Sequence, residues 1–305
     1  MRRPRLLPPL LLALLLSLAT PASRTVNVYD VEDARDALFE AVDAGGHDRI
    51  RAVLAAARSS SSSSSSTPAS ATAATSDLVD YVDDERGGYT LLTRAAHRGR
   101  TGVVRLLLAA GAGVDVPTRK GNTPLAVAAR EGAVDIVRML VGAGASINRV
   151  NLAQMDEPCA RLSNRNREDV CEPRPGTALM QAAQGGRTET MRVLLDLGAD
   201  VHGVDLGGNS ALSWVAKGGD TEAAELLLAR GADVNWQDNS GFTSLMWAAF
   251  NAQLGLAQLL CDRGADVDVR DFLSGRNALI WAAGKGLFDI AELLVDRYVL
   301  DPSYM

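Results

Sequence analysis

Cys159 and Cys171 stand in the stretch MDEPCARLSNRNREDVCEP, each beside a Glu and a Pro in mirrored order. Two thiols this close offer a disulfide or half of a metal site. A structural zinc site needs four ligands. His202 would bring the set only to three, at a spacing that fits no standard pattern. An oxidising compartment would join the pair. A loop of this length, once closed, adds on the order of 3 kcal/mol by restricting the unfolded chain. Two free thiols in a reducing compartment would look the same in sequence. Cys261, in LLCDRG, reads as a small core residue rather than a reactive thiol. The histidines His47, His97 and His202 show no ligand spacing, and His97 and His202 fall at equivalent-looking surface positions. There is no HExxH, CxxC, GxSxG or P-loop. GAGVD and GAGAS lack the third glycine of a dinucleotide fingerprint. The expectation is a chain that is not an enzyme, with no cofactor and no metal.

The elements around these residues recur. Gly88, Gly176, Gly208, Gly241 and Gly275 open similar segments, and Thr90, Thr123, Thr177, Ser210, Thr243 and Asn277 hold one position in them. The steps are 33 or 34 residues, except from Thr123 to Thr177, which is 54. The cysteine stretch lies in that excess. Each copy has apolar residues at helical spacing, as at Leu125, Ala128 and Ala129, then Ile136, Val137 and Leu140. Paired small residues such as Ala95-Ala96 and Ala248-Ala249 let two antiparallel helices approach closely. Gly111, Gly144, Gly198, Gly231 and Gly264 follow each second helix, where a left-handed residue ends it. One such unit cannot bury its apolar face alone, so the copies must stack.

A period of 33 with the core Thr123-Pro124-Leu125-Ala126-Val127-Ala128 resembles the ankyrin repeat. The resemblance covers residues 85–302 as an array of six copies, with an inserted loop at 149–175. It implies an all-α solenoid of helix-turn-helix units joined by β-turn-like fingers. ALFEAVDAGGHDRIRAVLAAA fits the template as a degenerate copy at 31–58. A Ser-rich tract with eight consecutive serines follows, and 59–78 reads as a disordered linker open to O-glycosylation.

The resemblance also implies a protein or peptide partner, met on the concave face by turn tips and the ends of first helices. Those positions are Arg119, Lys120, Asn122, Arg130 and Glu131. In the last two repeats they are Asn239, Ser240, Phe242, Phe250, Asn251, Phe272, Leu273, Arg276 and Lys285. Phe242, Phe250, Phe272 and Leu273 are expected to form an exposed apolar cluster, unless the C-terminal tail caps it. Trp214, Trp247 and Trp281 recur at one register position and read as core packing rather than a ligand-stacking surface. A self-associating assembly protein is the alternative. Tyr298-Val299-Leu300 replace the GAD of other copies, and light scattering across a concentration series would separate a dimer from a monomer.

Residues 1–22 have the order of a secretory signal peptide: Arg2, Arg3 and Arg5, an apolar run from Leu10 to Ala19, then small residues. The run is short for a membrane span. A secreted or lumenal protein is expected, with a cytoplasmic or plastid one as the alternative. No N-x-S/T sequon is present. Cleavage would remove three arginines and no acid, moving the net charge from −6 to −9. Nucleic acid is excluded as a partner on that balance.

Overall fold

The computed structural model describes residues 31–60, 78–83, 88–151 and 176–300. The signal segment, both cysteines of the expected disulfide and the C-terminal residues 301–305 lie outside these.

Among the described residues the chain forms seven helix pairs. The first helices are α1 Val31–Ala44, α3 Leu91–His97, α5 Pro124–Glu131, α7 Ala178–Gln184, α9 Ala211–Gly218, α11 Ser244–Phe250 and α13 Ala278–Gly284. The second helices are α2 His47–Ser60, α4 Thr101–Ala109, α6 Val134–Gly142, α8 Thr188–Asp196, α10 Thr221–Ala229, α12 Leu254–Asp262 and α14 Phe288–Leu300. First helices stack on first helices and second on second along the whole array. The recurrent Thr/Ser/Asn position is the N-cap of every first helix from α3 onward. Each side-chain oxygen accepts the backbone N–H three residues on, for example Ala126 to Thr123 at 3.2 Å and Ile280 to Asn277 at 3.0 Å. Four of the second helices (α4, α6, α8 and α12) have no such side-chain cap. Their first turn is set by a backbone reversal, in which Arg100, Ala133, Arg187 and Gln253 donate to the carbonyls of Ala95, Ala128, Ala182 and Ala248. A left-handed residue precedes each, and in the last case it is Ala252, the only non-glycine with positive φ among the described residues.

The core is a continuous apolar ribbon between the helix layers. Ala95, Ala96, Ala128, Ala129, Ala248 and Ala249 are fully buried, with Leu92, Leu125, Leu179, Leu212 and Leu245 beside them. Each buried leucine contributes about 2 kcal/mol. Helix α14 runs on to Leu300 where the other second helices from α4 onward stop after nine residues. No glycine is present there to turn the chain.

The excess between Thr123 and Thr177 does not interrupt the stack. α5 packs directly on α7. A Cβ on Gly185 would stand 2.4 Å from the Arg130 carbonyl oxygen, so this approach needs a residue without one. The expected loop bounds also shift. Arg149–Asn151 belong to a finger: Asn151 is buried and donates its N–H to Gly176 at 3.0 Å.

The degenerate copy sits directly on the array. Leu38, Phe39, Val42 and Ile50 are buried, and α1 packs on α3. Asp43 accepts from Arg94 at 2.8 and 3.1 Å and from Arg98 at 3.2 Å. The Arg94 hydrogen bond, against the opposing effect of burial, holds the Asp43 carboxyl below the usual range. The ends of the expected 59–78 linker differ too: α2 continues through Ser60, and Leu78 is buried.

Candidate partner-binding face

Between helix pairs the chain makes fingers, each closed around one buried side chain. In the last three fingers it is an aspartate. Asp205 accepts the N–H groups of Gly207 and Asn209, Asp238 those of Ser240 and Phe242, and Asp271 those of Leu273 and Arg276. Each carboxylate takes one more donor from outside its finger. Trp214 Nε1 donates to Asp205 at 2.9 Å, Trp247 to Asp238 at 3.2 Å and Trp281 to Asp271 at 3.1 Å. The tryptophans are therefore the links that fasten each finger to its own first helix. Their rings are half-buried and packed against the core.

The pairing of aspartate with tryptophan is confined to the last three fingers: the finger at Asp83 also closes on a buried aspartate, but the Trp position there holds Arg94. In the finger at Thr118 the polar residue is a threonine, whose hydroxyl accepts from Asn122 N–H at 3.1 Å, and the Trp position holds Val127. A lone hydroxyl needs no indole donor. This Asp–Trp spacing of nine or ten residues is visible in the sequence, but its meaning is not. The tryptophans pack against the core, as expected, and they also hold the finger.

Phe242 corrects an expectation. It is 8% exposed rather than part of an open cluster. Its N–H donates to Asp238, and its carbonyl accepts from Asp238 N–H, which tucks the ring inward. There it lies 4.8 Å from Trp247 and 5.4 Å from Trp281. Phe250 meets both indoles edge-on, at 6.1 and 5.4 Å. These four rings form one half-open aromatic floor. Phe272 and Leu273 stand apart at the last finger tip, 67% and 82% exposed.

Cations lie on that floor. Lys285 Nζ sits 3.2 Å above the Phe250 ring and donates to the Phe250 carbonyl at 2.8 Å. The Arg276 guanidinium is 5.0 Å above Trp281. Lys217, which the sequence did not single out, lies 4.2 Å from both the Trp214 and Trp247 rings and donates to Asn209 Oδ1 at 2.8 Å. Burial between the indoles pushes its amine below the usual lysine value, and the charges of Asp238 and Asp205 oppose that fall.

The other expected positions divide by use. Arg119, Lys120 and Arg130 are exposed. Asn122 is engaged inside the fold, accepting from Asn151 Nδ2 at 3.3 Å. Glu131 lies 3.2 Å from His97 Nδ1. Asn239 and Asn251 are exposed, with their side chains donating to the carbonyls of Leu206 and Lys217. His97 ends a first helix while His202 lies in a finger, so the two are not equivalent. Cys261 is half-buried, and burial raises its thiol; the Arg297 charge opposes this weakly and the Asp262 charge adds to it. That leaves little thiolate for chemistry. Among the described residues no group of His, Cys, Asp or Glu is arranged to hold a metal ion.

The family model described as ankyrin repeats (three copies) matches residues 69–151, 156–238 and 179–271, together more than half of the chain. The chain belongs to the ankyrin-repeat family. No curated protein matches it. Membership accounts for the stacked pairs and fingers and points to protein partners, as ankyrin repeats generally mediate protein–protein interaction. The family is typically non-catalytic. No helix of the described residues is long and apolar enough to cross a membrane.

Proposed function

We propose that this ankyrin-repeat protein is a non-catalytic interaction module that binds a protein or peptide on the concave face of its last repeats. The observation that carries the reading is the aromatic floor of Trp247, Phe250 and Trp281 overhung by Lys285 and Arg276, beside exposed Phe272 and Leu273. Exposed apolar groups ringed by cations are the composition of interface hot spots. Phe250→Ala combined with Phe272→Ala removes two of those rings. Phe250 is half-buried, so the pair should cost about 1–2 kcal/mol of stability and leave the array folded. Partners captured by the wild type from the native source should be lost with the pair, while the helical circular-dichroism signal is retained. Equal capture by both proteins would remove this face from the account.

We further propose that the chain enters the secretory pathway, loses residues 1–22 and carries a Cys159–Cys171 disulfide. The basic-apolar-small order of the N-terminus and the paired cysteines support this. The intact mass of native protein, alkylated unreduced under denaturing conditions, should show the shortened chain and one alkylated thiol, that of Cys261. A full-length chain with three alkylated thiols would move the protein to the cytosol.

A further inference from the structure

Charge is sorted by face in this molecule, although the chain as a whole is acidic, with a net charge of −6. On the second-helix side of the last four repeats, four arginines are paired with carboxylates of the neighbouring repeat. Arg192 meets Glu222 at 3.3 Å, Arg230 meets Asp196 at 2.9 Å, Arg263 meets Glu225 at 3.8 Å, and Arg297 meets Asp262. The finger face is different. Among the described residues, Lys217, Arg276 and Lys285 form no ion pair, and each lies on an aromatic ring instead. All three lysines of the chain, Lys120, Lys217 and Lys285, are on finger tips or at the ends of first helices.

The three aspartates that close these fingers are out of a partner's reach. Asp205, Asp238 and Asp271 are 5%, 5% and 3% exposed, and their oxygens are occupied by finger N–H groups and tryptophan. They moderate the field of the cations without offering lone pairs to a ligand. What solvent meets is a donor-rich strip. Lys217 gives one of its three N–H groups to Asn209 and Lys285 one to Phe250, which leaves donors on both. Leu206, Phe272 and Leu273 flank the strip, all more than half exposed.

We propose that the partner of this face is an acidic peptide segment carrying an aromatic or aliphatic side chain. The proposal deepens the binding reading above and rests on it. The carboxylates would take the free N–H groups of Lys217, Lys285 and Arg276, and the apolar side chain would lie against Phe250 and Phe272. Neighbouring helices pack about 10 Å apart, and an extended chain rises about 3.3 Å per residue. The segment that spans α9 to α13 is therefore about six residues long. An acidic segment is also repelled by the carboxylate-bearing second helices, so the fold steers it to this side.

The test is selection of a displayed random peptide library on the full chain, with counter-selection on the Phe250→Ala/Phe272→Ala protein. The expected result is enrichment of Asp and Glu around one aromatic or aliphatic residue. The best synthetic peptide should bind the Lys217→Ala/Arg276→Ala/Lys285→Ala protein about tenfold more weakly, since three partly exposed charges are removed. Neutral or basic selected peptides, or acidic ones that bind the triple variant equally well, would overturn the acidic class and leave the binding face standing. If no peptide survives that the phenylalanine pair loses, the binding face itself is overturned.

Discussion

Asp271→Ala is expected to destabilise the last repeat by about 3 kcal/mol, because a carboxylate that satisfies several donors is removed while the donors stay. The carboxylate accepts the N–H groups of Leu273, Ser274 and Arg276, the Ser274 hydroxyl and the Trp281 indole. The neighbouring finger residues are exposed, so water can reach some of these groups, which keeps the cost below a sum of individual losses. A solenoid loses its terminal repeat before the whole array. Chemical denaturation should therefore show an early phase in the variant that the wild type lacks. Burial alone would raise the Asp271 carboxyl, but the Ser274, Trp281 and Arg276 hydrogen bonds outweigh it and hold it below the usual value. A depressed folded pKa stabilises the protein above the unfolded value of about 3.9 and ceases to do so as pH falls through the folded one. The gap between wild type and variant should then be constant above about pH 5 and shrink below about pH 4. A gap that persists undiminished at pH 2 would show that the carboxylate's charge is not what holds the finger.

The second large effect is Gly241→Ala. Gly241 has φ 82°, and a Cβ there would stand 2.5 Å from Phe272 N and 2.8 Å from Phe272 Cγ. The Phe272 N–H donates to Ser240 O at 2.9 Å, so the two fingers cannot separate without losing that bond. Strained backbone and a clash with backbone together should cost about 2–4 kcal/mol. Gly264→Ala provides the comparison. Gly264 has φ 85° and nothing within 4 Å of the added carbon, so only the conformational part applies, about 1 kcal/mol. Equal melting shifts for the two variants would mean that finger-to-finger contact contributes nothing. Because the contact carries Phe272, Gly241→Ala should also weaken peptide binding beyond its effect on folding.

Much of the fold was legible in the chain because it depends on local rules applied many times. Thr123 and its equivalents cap helices by bonding three residues ahead, and the small pairs such as Ala128-Ala129 permit close stacking. Both leave a mark at a fixed period. The same period marks the fingers and first-helix ends from which the proposed partner face is built. It does not mark how their side chains are arranged. Phe242 was expected on the surface and is buried, because a finger turns back on Asp238 and carries the ring between two indoles. Lys217 was passed over because nothing next to it in the sequence marks it. Its environment comes from Trp214 one turn back and Trp247 a whole repeat away.

The sequence by itself determined that this chain is an ankyrin array: its period, its caps and its small residues make helix pairs that must stack to bury their apolar sides. Tertiary structure alone decided which charges stay accessible. Along the chain, Lys217, Lys285 and Arg276 look like the paired arginines Arg230 and Arg297. Stacking brings each of those arginines beside an aspartate of the previous repeat, while it lays the other three cations on aromatic rings. Charge pairing between repeats depends on distances across the stack, and no spacing within one repeat encodes them.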